Sequence, residues 1–160
     1  MANDMSEIRS TLNDVIEICK DSEEGFRSAA EKLKDPQIHT LFLKYSLQRT
    51  QFAGELQSEV TRIGGEPAKS GSTAGAMHRG WIGLKSALTG DSDHAVLEEA
   101  ERGEDAAVKA YRDALGKNLP SDLQSIVSRQ YHEVQQTHNA VRELRDTNRI
   151  VVSAPAGGSI

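Results

Sequence analysis

Apolar and small residues recur every three or four positions along four long stretches of this chain, the spacing of helices that bury one face. The first stretch carries Leu12, Ile16, Cys19, Phe26, Ala30 and Leu33, and the pattern breaks near Asp35-Pro36. There Asp35 can cap the next helix and Pro36 suits its first turn. The second stretch runs Ile38, Leu41, Tyr45, Phe52, Leu56, Val60 and Ile63, and Gly64-Gly65 stops it. A third starts after the turn at Gly90 to Asp93, aligns Leu97, Val108, Tyr111 and Leu115, and closes at Gly116. Pro120-Ser121 opens the fourth, where Ser121 and Gln124 have the spacing of a capping box. Leu123, Val127, Val134, His138 and Val141 share that helix's inner face.

The connections set the topology. Helices one and two are joined tightly, as are three and four, so each pair is an antiparallel hairpin. Between the hairpins lies the link Gly64 to Ser92, Gly/Ser-rich at first and then a short helix from about Thr73 to Leu88. Helix two is roughly 40 Å long at ~1.5 Å per residue, and an extended link covers up to ~3.3 Å per residue. The link can therefore run the bundle's length and set helix three parallel to helix two. The fold expected is all-α: a ferritin-like four-helix bundle of two hairpins joined by a long crossover carrying a short fifth helix. The bundle should span residues 11–149, between a flexible N-terminus (1–10) and a flexible tail (150–160).

The crossover helix has an apolar stripe of Met77, Trp81, Leu84 and Leu88. It can pack on its own bundle, or Trp81, with Met77 and Leu84, can anchor a homodimer or another partner.

The two hairpins resemble each other. A shift of 78 residues pairs Glu23-Glu24-Gly25 with Glu101-Arg102-Gly103, Ala29 with Ala107 and Asp35 with Asp113. Glu23, Glu101 and Glu104 fall on the apolar lines of their helices, where a carboxylate is costly unless paired, protonated, hydrated or bound to a cation. Gly25 and Gly103 each cost about 1 kcal/mol relative to Ala inside a helix. Their matching places suggest close helix approach or room for a neighbour's bulky side chain.

Composition narrows the function classes. Net charge is −5 with both signs spread along the chain, and there are one Trp, three Tyr and three Phe. No basic cluster marks a phosphate-binding surface and the aromatics are too few for base stacking, so nucleic acid is not an expected partner. No apolar run approaches the ~20 residues of a membrane span, and the polar, acidic start does not read as a signal peptide. The lone cysteine, Cys19, forms no intrachain disulfide and points to a cytoplasmic setting. It lies on an apolar line, as an inert core thiol does. No phosphate-cradling loop, serine elbow, Cys-x-x-Cys or His-Glu-x-x-His motif is present.

From Thr11 to Arg145 the chain resembles the ferritin-like superfamily. More closely, it is similar to a bacterial family of four-helix-bundle proteins built on a domain of unknown function. The stretches that carry the likeness are Thr11-Leu-Asn-Asp, Glu23-Glu-Gly-Phe-Arg, Gln51-Phe-Ala-Gly-Glu-Leu, His78-Arg-Gly-Trp and Glu101-Arg-Gly-Glu-Asp. Metal-binding members of the superfamily use one Glu from each of two helices and a Glu-x-x-His pair from each of the others. The resemblance puts Glu23 and Glu101 at the single-Glu positions, with Glu24 and Glu104 beside them. It puts Gln48-x-x-Gln51 and Gln135-x-x-His138 at the paired ones, with Phe52 as the alternative counterpart of His138. Three of these four paired positions depart from the ligand pattern.

Two readings follow. In the first the chain is a non-catalytic, stress-associated or interaction protein, a homodimer with a degenerate site. In the second it binds iron, manganese or zinc through Glu23, Glu101 and Glu104, with His138, Gln48 and Gln135 around them, and acts in metal handling or redox protection. The depleted ligand set favours the first. If the seam carboxylates are buried without a partner, Glu101→Gln should leave the fold as stable or more so.

Overall fold

The computed structural model describes residues 2–71, 81 and 92–153, with side chains from 5 to 147. Four helices form among these residues: α1 (Ala2–Lys32), α2 (Pro36–Arg62), α3 (Asp93–Leu115) and α4 (Ser121–Ser153). Their ends follow local chemistry. The Asp35 carboxylate accepts from the backbone N–H groups of Gln37 and Ile38, and Pro36 fills the first turn, where an N–H has no partner. At the far end of α2, Gly64 turns left-handed at φ 85° and the Gly65 N–H returns to the Val60 carbonyl. Ser92 caps α3 by accepting from His94 N–H. No Ser121–Gln124 capping pair forms among the described residues. The Gln124 N–H bonds the Pro120 carbonyl instead.

Both ends of the bundle differ from the boundaries expected. α1 begins at Ala2 rather than near Thr11, because Ile8 lies one turn before Leu12 and is buried with it. α4 continues past Ile150 to Ser153, and 154–160 lie outside the described residues.

The link runs back along α1. Arg9 donates to the Ile63 carbonyl, and Asn13 donates to the Glu66 carbonyl while accepting from Ala68 N–H. Further on, Gly71 lies against Asp21 and Trp81 against Gly25. α3 then starts beside the α1–α2 turn, where the Asp93 carboxylate accepts from the N–H groups of Lys34 and Asp35. This sequence of contacts sets α3 parallel to α2, the crossover topology expected. The short helix at 73–88, with Met77 and Leu84, lies outside the described residues apart from Trp81.

The core is in two apolar lobes. One joins Leu12, Ile16, Leu56, Tyr111 and Val127 near the α3–α4 turn; the other joins Phe26, Phe42, Trp81, Leu97 and Val141 near the α1–α2 turn. Polar side chains lie in a belt between them.

Candidate functional site

That belt holds a buried ion pair. Arg49 from α2 and Glu104 from α3 are 1% and 0% exposed. Arg49 Nη1 donates to Glu104 Oε1 at 2.6 Å and Nη2 to Oε2 at 2.7 Å, the bidentate fork that matches a planar guanidinium to a carboxylate. Arg49 Nε donates to Gln48 Oε1 at 3.1 Å, and the guanidinium lies 5.4 Å from the centre of the Phe26 ring. Burial alone works against the Arg49 charge, but the Glu104 carboxylate outweighs it and holds the guanidinium pKa above its ordinary value.

Below the pair runs a hydrogen-bonded chain. The Cys19 thiol and Tyr111 hydroxyl lie 3.1 Å apart, and Tyr111 OH donates to Gln130 Oε1 at 2.7 Å. Gln130 Nε2 reaches Glu55, which pairs with Arg129 at the surface. Burial pushes the Cys19 thiol up to about 11 and the Tyr111 phenol well above its usual range. Both groups therefore stay neutral at physiological pH.

The residues singled out from sequence do not converge. Glu104 is held by Arg49. Glu101, mostly buried, pairs with Arg142 at 3.3 Å and with Arg145. Glu23 sits between Lys20 and Arg27 at 3.4 and 3.8 Å. His138 Nε2 lies 2.5 Å from Oδ1 of the exposed Asp105. Gln48 accepts from Arg49 and, at 3.5 Å, from Thr137, and Gln135 donates to Tyr131. Gln51 is exposed, so the inward i, i+3 pair of α2 is Arg49 and Phe52, the Phe52 register. The expectation attached to Glu101→Gln assumed a carboxylate without a partner, and Glu101 has two arginines.

A superfamily metal site does not fit these residues. Among those described, no three His, Cys, Asp or Glu side chains group closely enough to hold an ion. Both Glu104 oxygens already bind a cation. Arg49 is not among the residues expected on the inner line of helix two. The signal that marks it is its place seven residues from both Phe42 and Leu56, buried with them and with Val60, where a charged residue needs a partner across the bundle.

Trp81 is placed inside its own bundle. It is 9% exposed and meets Phe26 edge-on at 5.2 Å. A Cβ built on Gly25 would lie 2.3 Å from the indole, and one on Gly103 2.2 Å from its other part. The two glycines of the repeat thus make a notch for one indole, and Trp81 presents no free anchor for a partner.

The chain belongs to the DUF2383 family, a domain of unknown function whose model matches residues 7–117. In structure it is similar to a mutant of Dps1 from Mycobacterium smegmatis, with a TM-score of 0.72 at 12% identity over 91% of this chain and 99% of that one. At that identity the likeness shows the fold, which is ferritin-like. None of the curated proteins matches the chain in sequence. No helix described is long and apolar enough to cross a membrane.

Proposed function

We propose that this chain is a non-catalytic ferritin-like bundle, acting as a homodimeric interaction protein. The observation that carries the reading is the Arg49–Glu104 pair, a cation of the chain's own bonded to both oxygens of a seam carboxylate. A divalent ion entering there must displace a bidentate guanidinium and leave Arg49 buried without its counter-charge, a cost of several kcal/mol. The nearby polar groups, Gln48, Thr137 and Tyr111, are neutral and serve poorly as ligands for iron or manganese.

The test is metal content by plasma mass spectrometry, on protein purified without chelator from cells supplied with iron, manganese and zinc. The expected result is far less than one ion per chain, with no acceleration of ferrous oxidation by peroxide. A near-stoichiometric metal that disappears in Glu104→Ala or His138→Ala protein would overturn the proposal and establish the metal-handling alternative.

A further inference from the structure

The outer face of α2 exposes leucines where the other described helices expose polar side chains. On α3 the exposed positions include Glu98, Arg102, Asp105 and Lys109, the charges expected of a helix that meets water. On α2, Thr40, Leu43, Leu47, Thr50 and Ser58 follow one another at helical spacing down the outer side. Leu43 and Leu47, one turn apart, are 43% and 58% exposed and are the large exposed hydrophobics among the described residues. The face is open at Gly54, where a Cβ would meet nothing within 4 Å. Between Pro36 and Ser58 the charges that reach the surface are Lys44 and, on the α4 edge, Glu55, which is held by Arg129. A stripe of leucine, hydroxyl and glycine positions with its charge removed to one edge has the composition of an interface centre.

We infer that this face packs antiparallel against the same face of a second copy, about a twofold axis at Leu47. In that arrangement Leu47 meets Leu47 across the axis, Leu43 meets Thr50, and Thr40 meets the opening at Gly54. Charge supports a second copy as the occupant. The contacts Gln48–Thr137, Glu55–Arg129 and Arg62–Asp122 align α4 beside α2 and put Glu133 next to Gln51. A twofold at Leu47 carries Lys44 of one copy toward Gln51 of the other, on the α4 side of both helices. There Glu133, whose side chain is 41% exposed and faces Arg129 of its own helix at 3.9 Å, supplies the opposite charge. The two Lys44 groups stay roughly 9 Å apart along the helix at ~1.5 Å per residue.

Area sets a further condition. A helix face roughly 40 Å long and ~10 Å wide covers about 400 Å² per copy, half of the ~800 Å² per partner in a standard interface. The edges of α1 and α4 that flank α2 must supply the rest, as the Lys44–Glu133 contact does.

The inference rests on the dimeric part of the proposed function and names its surface. The experiment uses the full chain in light scattering coupled to gel filtration, with two variants. Wild type should run as a dimer. Leu47→Glu should weaken association at least about thirtyfold while circular dichroism keeps the helix content, since it puts two carboxylates face to face at the axis. Leu47→Cys should give a disulfide-linked dimer under mild oxidation, because Cys19 is buried and leaves the new thiol to react alone. If wild type is a dimer that Leu47→Glu leaves intact and Leu47→Cys does not cross-link, this face is wrong and the dimer stands on another surface. A wild type monomeric at every concentration would sink both the dimer and this face, leaving the Arg49–Glu104 argument against a metal untouched. A monomer that captures an unrelated acidic protein through Leu47 would likewise overturn the second copy as occupant.

Discussion

At the scale of single residues, burial decides what Cys19 does. The thiol sits on the inner line of α1, fully enclosed, with the Tyr111 hydroxyl 3.1 Å away. Burial raises its pKa to about 11, a little offset by the Tyr111 hydrogen bond and the Arg49 charge. In the unfolded chain the value returns to about 8.5. The folded state therefore keeps a proton that the unfolded state gives up. Stability is complete below about pH 8.5 and falls as pH rises toward 11, by roughly 1.4 kcal/mol per unit over that window. Urea unfolding between pH 8 and 10.5 should show this slope, and Cys19→Ala should flatten it. Equal slopes in the two proteins would mean that the thiol is not titrating as a buried group. Tyr111 shifts in the same direction and steepens the loss above its own ordinary range.

At the scale of helices, periodicity and the caps at Asp35 and Gly64 were legible, while the Ser121–Gln124 cap and the rotation of α2 were not. The break at Asp35-Pro36 and the stop at Gly64-Gly65 appear where the residue chemistry requires them. The inner face of α2 is harder to read, since that helix carries leucines on both sides. Leu41 and Tyr45, on the line expected to face inward, are only partly buried, while Phe42, Ser46 and Arg49 are buried. A face kept apolar at Leu43 and Leu47 blurs the polar contrast on which the reading depends. The start of α1 differs for the opposite reason: its first turns are mostly polar, and only Met5, partly buried, and Ile8 mark their inner side. The matched glycines did announce a bulky neighbour, but nothing in sequence said that one indole would fill both places. That fit is testable. Ala is the better helix former by about 1 kcal/mol, so Gly103→Ala would stabilise an ordinary exposed site. Here its Cβ would lie 2.2 Å from the Trp81 ring, and the indole has to move. Gly103→Ala should cost about 1–3 kcal/mol and shift the fluorescence of this lone tryptophan to the red. An unchanged emission with unchanged stability would mean that the notch is loose.

At the scale of the whole molecule, the ion pair ties one hairpin to the other across the polar belt. Arg49 belongs to the α1–α2 hairpin and Glu104 to the α3–α4 hairpin, and the two apolar lobes lie on either side of their contact. A pair of this kind costs a great deal to break and little to replace. Removing one partner strands a charge in the core, while replacing both with apolar side chains of similar volume removes two desolvation penalties at once. Arg49→Met and Glu104→Leu should therefore each destabilise by about 3–5 kcal/mol. The double variant should come within about 1 kcal/mol of wild type or exceed it. In a domain of this size 1 kcal/mol moves the melting temperature by about 2–4 °C, so singles and double should separate clearly in thermal scans and in urea. Strong non-additivity is the signature of two groups that matter to each other. If the losses simply add, the guanidinium and carboxylate are held by other partners, and the chain's own cation no longer explains why a metal would be excluded. A double variant of full stability that also begins to bind iron or manganese would show that ligands remain around the belt and that the ion pair is what keeps an ion out.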